Sequence, residues 1–143
     1  MDADETTARR PKLSHTAVTL GLREANVILE VFEAAGSWER AAERIVAENR
    51  LQKTSSSSTR RICREMRQRL EGLTPQTLQQ FTQLTLDDQK SVLLIAVCKA
   101  YPFFFGFVRG PLADKAAVHD FAVSPTDFDR YWEAATLTYP TRP

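Results

Sequence analysis

Residues Thr59–Gly72 read TRRICREMRQRLEG, and the spacing of their apolar members decides the fold class. At about 100° per residue, Ile62, Met66, Leu70 and Leu73 fall on one side of a helix. Arg60, Arg61, Arg64 and Arg67 fall on the other side, with Gln68 among them. Gly72 and Pro75 end the segment. Glu65 and Arg69 lie between the two faces, in the favourable order for an i,i+4 pair.

The neighbouring sequence keeps the same period. Upstream, Asn49–Ser58 is a polar connection that ends in four serines and reads as an exposed loop. Before it, Ser37 caps a helix whose inner face is Trp38, Ala41, Ala42, Ile45 and Val46 and whose outer face alternates acids and arginines. Gly36 stops an earlier helix carrying Leu22, Ala25, Ile28, Leu29 and Phe32. Downstream, Thr74-Pro75 opens a short helix through Phe81, and Thr85-x-x-Asp88 opens a long one. From Val92 to Cys98 that long helix is apolar all round, which predicts the central, most buried element. Tyr101–Phe107 extends the core and Pro111 breaks the chain. Short helices are expected over Asp114–Phe121 and over Pro125–Ala135, the latter with Ser124 as cap and Pro125 at its first position.

No strand pair with a turn signal appears, and with only five glycines in 143 residues the chain is expected to be all-α, a compact multi-helix bundle without significant sheet. One helical domain is expected over residues 14–137, between a flexible N-terminal tail (1–13) and a short C-terminal tail (138–143).

Charge is distributed unevenly. Between Arg50 and Leu70 stand seven basic residues against Glu65 alone, a balance of +6, which leaves −5 for the remainder of a chain whose net charge is +1. Such asymmetry points to a polyanionic partner. Four arginines on one helical face repel each other, whereas a helix that needed only solubility would alternate signs. The first turn of this helix also carries Arg60 and Arg61, the wrong sign for the macrodipole. A bound phosphate resolves both conflicts, held by free N–H groups, serine and threonine hydroxyls, Lys53 and the planar guanidinium forks. The candidate nucleic-acid-binding set is therefore Lys53, Ser58, Thr59, Arg60, Arg61, Arg64 and Arg67. The bland alternative is a solvated basic face beside a serine-rich loop, and a third reading is a face that docks an acidic protein surface. No aromatic residue interleaves the patch in sequence, which favours backbone contact with a duplex over stacking on single-stranded bases.

Other chemistry is not indicated. Cys63 and Cys98 without a signal peptide read as reduced thiols in a cytosolic protein, Cys63 as a structural one despite its neighbouring arginines. His15 and His119 have no metal-ligand partners at a suitable spacing, so no metal and no cofactor are expected. The paired acids at Asp87-Asp88 and Asp127-x-Asp129 stand at helix starts, where the dipole accounts for them. Phe103-Phe104-Phe105 reads as core, and no phosphate-binding, dinucleotide or nucleophile-elbow motif is present. An enzyme is the least favoured class. The apolar run Val92–Val108 is too short and too interrupted for a membrane span.

The run Glu48-Asn49-x-Leu51-x-Lys53-x-Ser55, followed by Ser58-Thr59-x-Arg61, Glu65 and Arg69-Leu70, resembles the core of BrxA proteins, a component of the BREX bacteriophage-exclusion systems of bacteria. So do Ala96-x-Cys98-Lys99-x-Tyr101 and Ser124-x-x-Asp127-Phe128. The similarity runs over about residues 20–135. It implies a helical fold similar to the RNA-binding factor NusB and a non-enzymatic, DNA-binding role in phage defence. Double-stranded DNA is then the expected partner, other BREX proteins are further candidates, and RNA ranks lower. Members of the family are expected to continue past the Asp-Phe element, so any surface supplied by such a portion is not carried over to this chain.

Overall fold

The computed structural model describes residues 19–138, and among them every regular element is helical. They divide between two compact units, one ending at Ala100 and one beginning at Tyr101, where the sequence alone suggests a single domain over 14–137. The local cause is Pro102. The residue before a proline is pushed out of the helical region, and Tyr101 takes φ −128°, ψ 89°.

The first unit contains α1 (Leu22–Ala35), α2 (Trp38–Ala47), α3 (Ser56–Leu70), α4 (Pro75–Gln80) with a 3₁₀ turn at Phe81–Gln83, and α5 (Leu86–Ala100). Their ends follow side-chain chemistry. Gly36 sits at φ 79°, a left-handed conformation, and its N–H bonds the Phe32 carbonyl to close α1. Ser37, one residue on, accepts from the Arg40 N–H and starts α2. Thr74 accepts from the Thr77 N–H with Pro75 in the first turn, and Thr85 accepts from the Asp88 N–H at 3.3 Å. α1 is the hub and touches α2, α3, α4 and α5. The core is built of Ala25, Ile28 and Leu29 from α1, Ala41 and Ile45 from α2, Ile62, Met66 and Leu70 from α3, and Phe81, Leu93 and Ala96 beyond. Each such large apolar side chain contributes roughly 1.5–3 kcal/mol on burial.

Two sequence expectations change here. The helix α5 is not buried all round: Leu93, Ala96 and Val97 face inward, while Leu94 (39% exposed) and Ile95 (52% exposed) do not. The 49–58 connection is not wholly exposed either, because Leu51 inserts into the core with 2% of its surface accessible. That loop also ends earlier than the serines suggest. α3 begins at Ser56, and Ser55 caps it by accepting from the Ser58 N–H at 3.2 Å.

A polar amide pair is set into the core. Gln89, 6% exposed, exchanges two hydrogen bonds with the Asn26 amide, both 3.1 Å, and also donates to the Phe81 carbonyl at 2.9 Å. Asn26 in turn donates to the Leu22 carbonyl at 2.8 Å. The pair therefore ties α1, α5 and the 3₁₀ turn together with each amide satisfied.

The second unit contains α6 (Pro102–Phe107), a π-helical turn (Val108–Leu112), α7 (Ala113–Ala117) and α8 (Pro125–Thr138). Pro111 does not break the chain as expected. It lies inside the π turn, whose wider hydrogen-bond pattern accommodates a residue that has no N–H to give. The helix expected over Asp114–Phe121 stops at Ala117, and His119 follows at φ 57°. An aromatic cluster joins α6 to α8: Phe103 packs edge-on against Phe128 and Trp132, and Phe107 packs edge-on against Phe128. The Tyr131 hydroxyl donates to the Phe103 carbonyl at 3.1 Å and passes so close to Gly106 that a Cβ there would overlap it. At the start of α8 the Asp127 carboxylate accepts from both the N–H and the hydroxyl of Ser124, and Lys115 bridges it to Asp120.

Candidate nucleic-acid interface

The candidate residues lie on α3 and, for Lys53, in the loop before it, all within the first unit. The core packing of Ile62, Met66 and Leu70 fixes the rotation of this helix, so its opposite side is turned outward. Arg60, Arg61 and Arg64 are exposed, and among the described residues none of the three makes an ion pair. Arg60 and Arg64 are one turn apart, about 6 Å along the axis. Their like charges face the same way with no carboxylate between them.

Arg67 differs. Its Nε contacts Glu71 at 2.6 Å and its Nη1 contacts Glu39 of α2 at 2.8 Å. Those two carboxylates raise the guanidinium pKa further. Glu39, held mainly by a backbone hydrogen bond and then by Arg67, titrates below the usual carboxylate range. The sequence reading placed Arg67 among the free arginines, and the structure removes it, because Glu39 arrives from another helix.

Thr59 also leaves the set. It is 1% exposed, and its hydroxyl donates to the Ser55 carbonyl, so it closes the first turn and does not face outward. Its wheel position, beside Met66 and Leu70, accounts for this. Ser58 is exposed, but its hydroxyl accepts from Ser55 Oγ at 2.9 Å, within a small serine network that includes Ser57. Lys53 is half-buried in the preceding loop, where its N–H donates to Asn49 Oδ1. Asn49 and Gln52 hold that loop in left-handed conformations, φ 47° and 54°. The residues brought together outward are thus Arg60, Arg61 and Arg64, with the first-turn serines at their N-terminal end. No acid occupies that turn.

A cleft of about 420 Å³ runs between α2 and α3. Its floor is apolar and buried: Ile28, Ala41, Ile45 and Cys63. Arg60, Arg64 and Arg67 line it from α3 and Trp38, Glu39 and Glu43 from α2, and the Arg67–Glu39 ion pair spans it. Burial pushes the Cys63 thiol pKa up and the Arg60 charge only partly offsets it, so this is not an activated nucleophile. Trp38 stacks one face on Phe32, with ring centroids 4.1 Å apart.

The family model described as BrxA matches residues 12–141. The chain belongs to the BrxA family. That membership carries a BREX-associated role. A search of curated proteins returned no significant match. The segments on which the resemblance to BrxA rests map onto three structural positions. The loop before α3 and α3 itself, residues 48–70, present the free arginines, Ala96-x-Cys98-Lys99-x-Tyr101 ends α5, and Ser124-x-x-Asp127 forms the capping arrangement that begins α8.

Within this BrxA-family chain the other sequence candidates find structural explanations. Arg69 and Glu65 form the expected i,i+4 pair at 3.0 Å, but buried, and Arg69 also donates to the Thr19 carbonyl at 2.6 Å. Asp87 and Asp88 lie in the first turn of α5. Among the described residues no cluster of His, Cys, Asp or Glu is arranged to hold a metal ion, and no single helix is long and apolar enough to cross a membrane. His15 lies outside the described residues. What linear reading missed is Trp38. Twenty-two positions before Arg60 in sequence, it stands at the same cleft.

Proposed function

We infer that this BrxA-family protein binds a nucleic-acid duplex through its phosphate backbone, along the outward face of α3, and that it does so without catalysis. The observation that carries this reading is the cluster Arg60, Arg61 and Arg64: exposed, on one helix, and without carboxylate partners among the described residues. A helix retains uncompensated like charges at a cost in repulsion, and an external polyanion offsets that cost. The acid-free first turn of α3, with Ser55 as its cap, supplies the positive end of a helix dipole beside the same arginines. The BREX association of the family favours duplex DNA over RNA.

The test is a mobility-shift titration of wild type and the triple variant Arg60→Ala, Arg61→Ala, Arg64→Ala at two salt concentrations. Wild-type affinity should fall with a log–log slope of about −2.7 if three phosphates are neutralised, since each contributes about −0.9. The triple variant should bind all duplex sequences more weakly and with a flatter slope. Affinity insensitive to salt, or to the triple substitution, refutes the reading. Competition with an RNA duplex of matched sequence separates DNA from RNA, because A-form RNA presents a different groove and 2′-hydroxyls.

A further inference from the structure

We propose that the cleft between α2 and α3 receives one unpaired nucleobase from a strand whose phosphates lie on Arg60 and Arg64. The proposal rests on the backbone reading above and adds a base-binding site to it.

The cleft has the volume of a small-ligand site, about 420 Å³ against the usual range of roughly 300–1,000 Å³. Its chemistry is divided as a nucleotide is divided. Arg60 and Arg64 belong both to the outward basic face and to the cleft wall, so a phosphate held by them sits at the cleft mouth. Behind them the surface is apolar, with Ile45 buried on the floor and Ala42 half-buried above it. Trp38, also in the lining, offers an aromatic surface for base contact. Opposite the arginines stands Glu43, exposed and without an ion pair among the described residues. A carboxylate there repels a phosphate or an acidic peptide pushed deep into the cleft. It accepts a hydrogen bond from the exocyclic amine of a base such as adenine. A fully paired duplex keeps its bases stacked and cannot fill the cleft, so the occupant is an extruded or unpaired nucleotide.

The experiment uses the full chain carrying Trp132→Phe, so that emission comes from Trp38 alone. Three duplexes of identical flanking sequence are titrated: fully paired, with a single bulged adenine, and with an abasic bulge. The adenine bulge should bind roughly tenfold more tightly than the paired duplex, as expected when one stacked base is gained, and should quench Trp38. The abasic bulge should do neither. Ala42→Leu, which narrows the cleft without removing a charge, should retain paired-duplex binding and lose the bulge preference. It also keeps the test independent of Trp38→Ala, which removes the Phe32 stacking partner.

Equal affinity for the three duplexes with unaltered Trp38 emission overturns the proposal while leaving the backbone reading intact. Failure of all three to bind overturns both. Quenching by a short oligo-glutamate peptide, with none by the adenine bulge, would assign the cleft to an acidic protein segment and refute the proposal.

Discussion

Arg67 is gripped by carboxylates from two directions, whereas Arg60, less than two turns away, meets none among the described residues. Both occupy the polar side of the same helix in sequence. The difference arises because α2 packs against α3 and delivers Glu39 to one arginine, a tertiary event that no helical wheel encodes. Arg67→Ala should therefore leave duplex affinity within about twofold. Arg60→Ala or Arg64→Ala should weaken it several-fold and reduce the salt slope by about 0.9, as read by anisotropy titrations at several salt concentrations. Thr59 is the opposite case. Its angular position beside Met66 already assigned it to the core, so its burial was legible and its hydroxyl chemistry drew attention away from it. The amide pair of Gln89 and Asn26 left no sequence signal, since polar residues 63 positions apart do not announce a partnership. Gln89→Leu takes the Gln89 donor from the half-buried Asn26 Oδ1 and from the Phe81 carbonyl and should cost about 1–3 kcal/mol in a urea unfolding titration. A neutral result would show that the pair contributes no net stability.

The elements were more legible than the side-chain partners. Gly36, Ser37, Thr74-Pro75 and Thr85 each act locally, and each begins or ends a helix where the sequence suggests. Misreadings arise where a local rule has two solutions. Four consecutive serines suit a loop or a capped first turn, and burial of Leu51 just upstream selects the second. Uniform apolarity in α5 cannot say which side meets the bundle, and the structure leaves Leu94 and Ile95 outside it. Pro111 reads as a breaker only if the alternative is an α-helix. In the second unit, the start of α8 is set by charge. The Asp127 carboxyl titrates below its ordinary range, first because it accepts the Ser124 N–H and then because Lys115 lies beside it. A depressed carboxyl contributes stability that is complete above the ordinary aspartate range and is lost as pH falls through the lower, folded value. The Ser124 amide resonance should thus titrate with a midpoint below that of an aspartate in an unstructured peptide. A midpoint at or above that value would show that the carboxyl does not accept this bond in solution.

Across the whole molecule, net charge conceals a basic helix, and apparent continuity conceals two units. The family resemblance was legible because its residues fall at fixed elements, while the division at Tyr101 was marked only by Pro102. Among the described residues of the second unit only Tyr101 and Phe107 are fully buried, a thin core for so short a segment. Each unit holds one tryptophan, Trp38 or Trp132. In denaturant, the Trp132 signal of a Trp38→Phe variant should be lost before the Trp38 signal of a Trp132→Phe variant. Coincident transitions would show that the chain unfolds as one cooperative body. Cys63 has a consequence of its own. A thiol 7% exposed on the floor of the cleft, its pKa raised by burial, reacts slowly with an alkylating reagent, which must enter between α2 and α3 to meet it. With Cys98→Ser as background, the alkylation rate becomes a gauge of how freely small molecules enter that cleft, running without any ligand present.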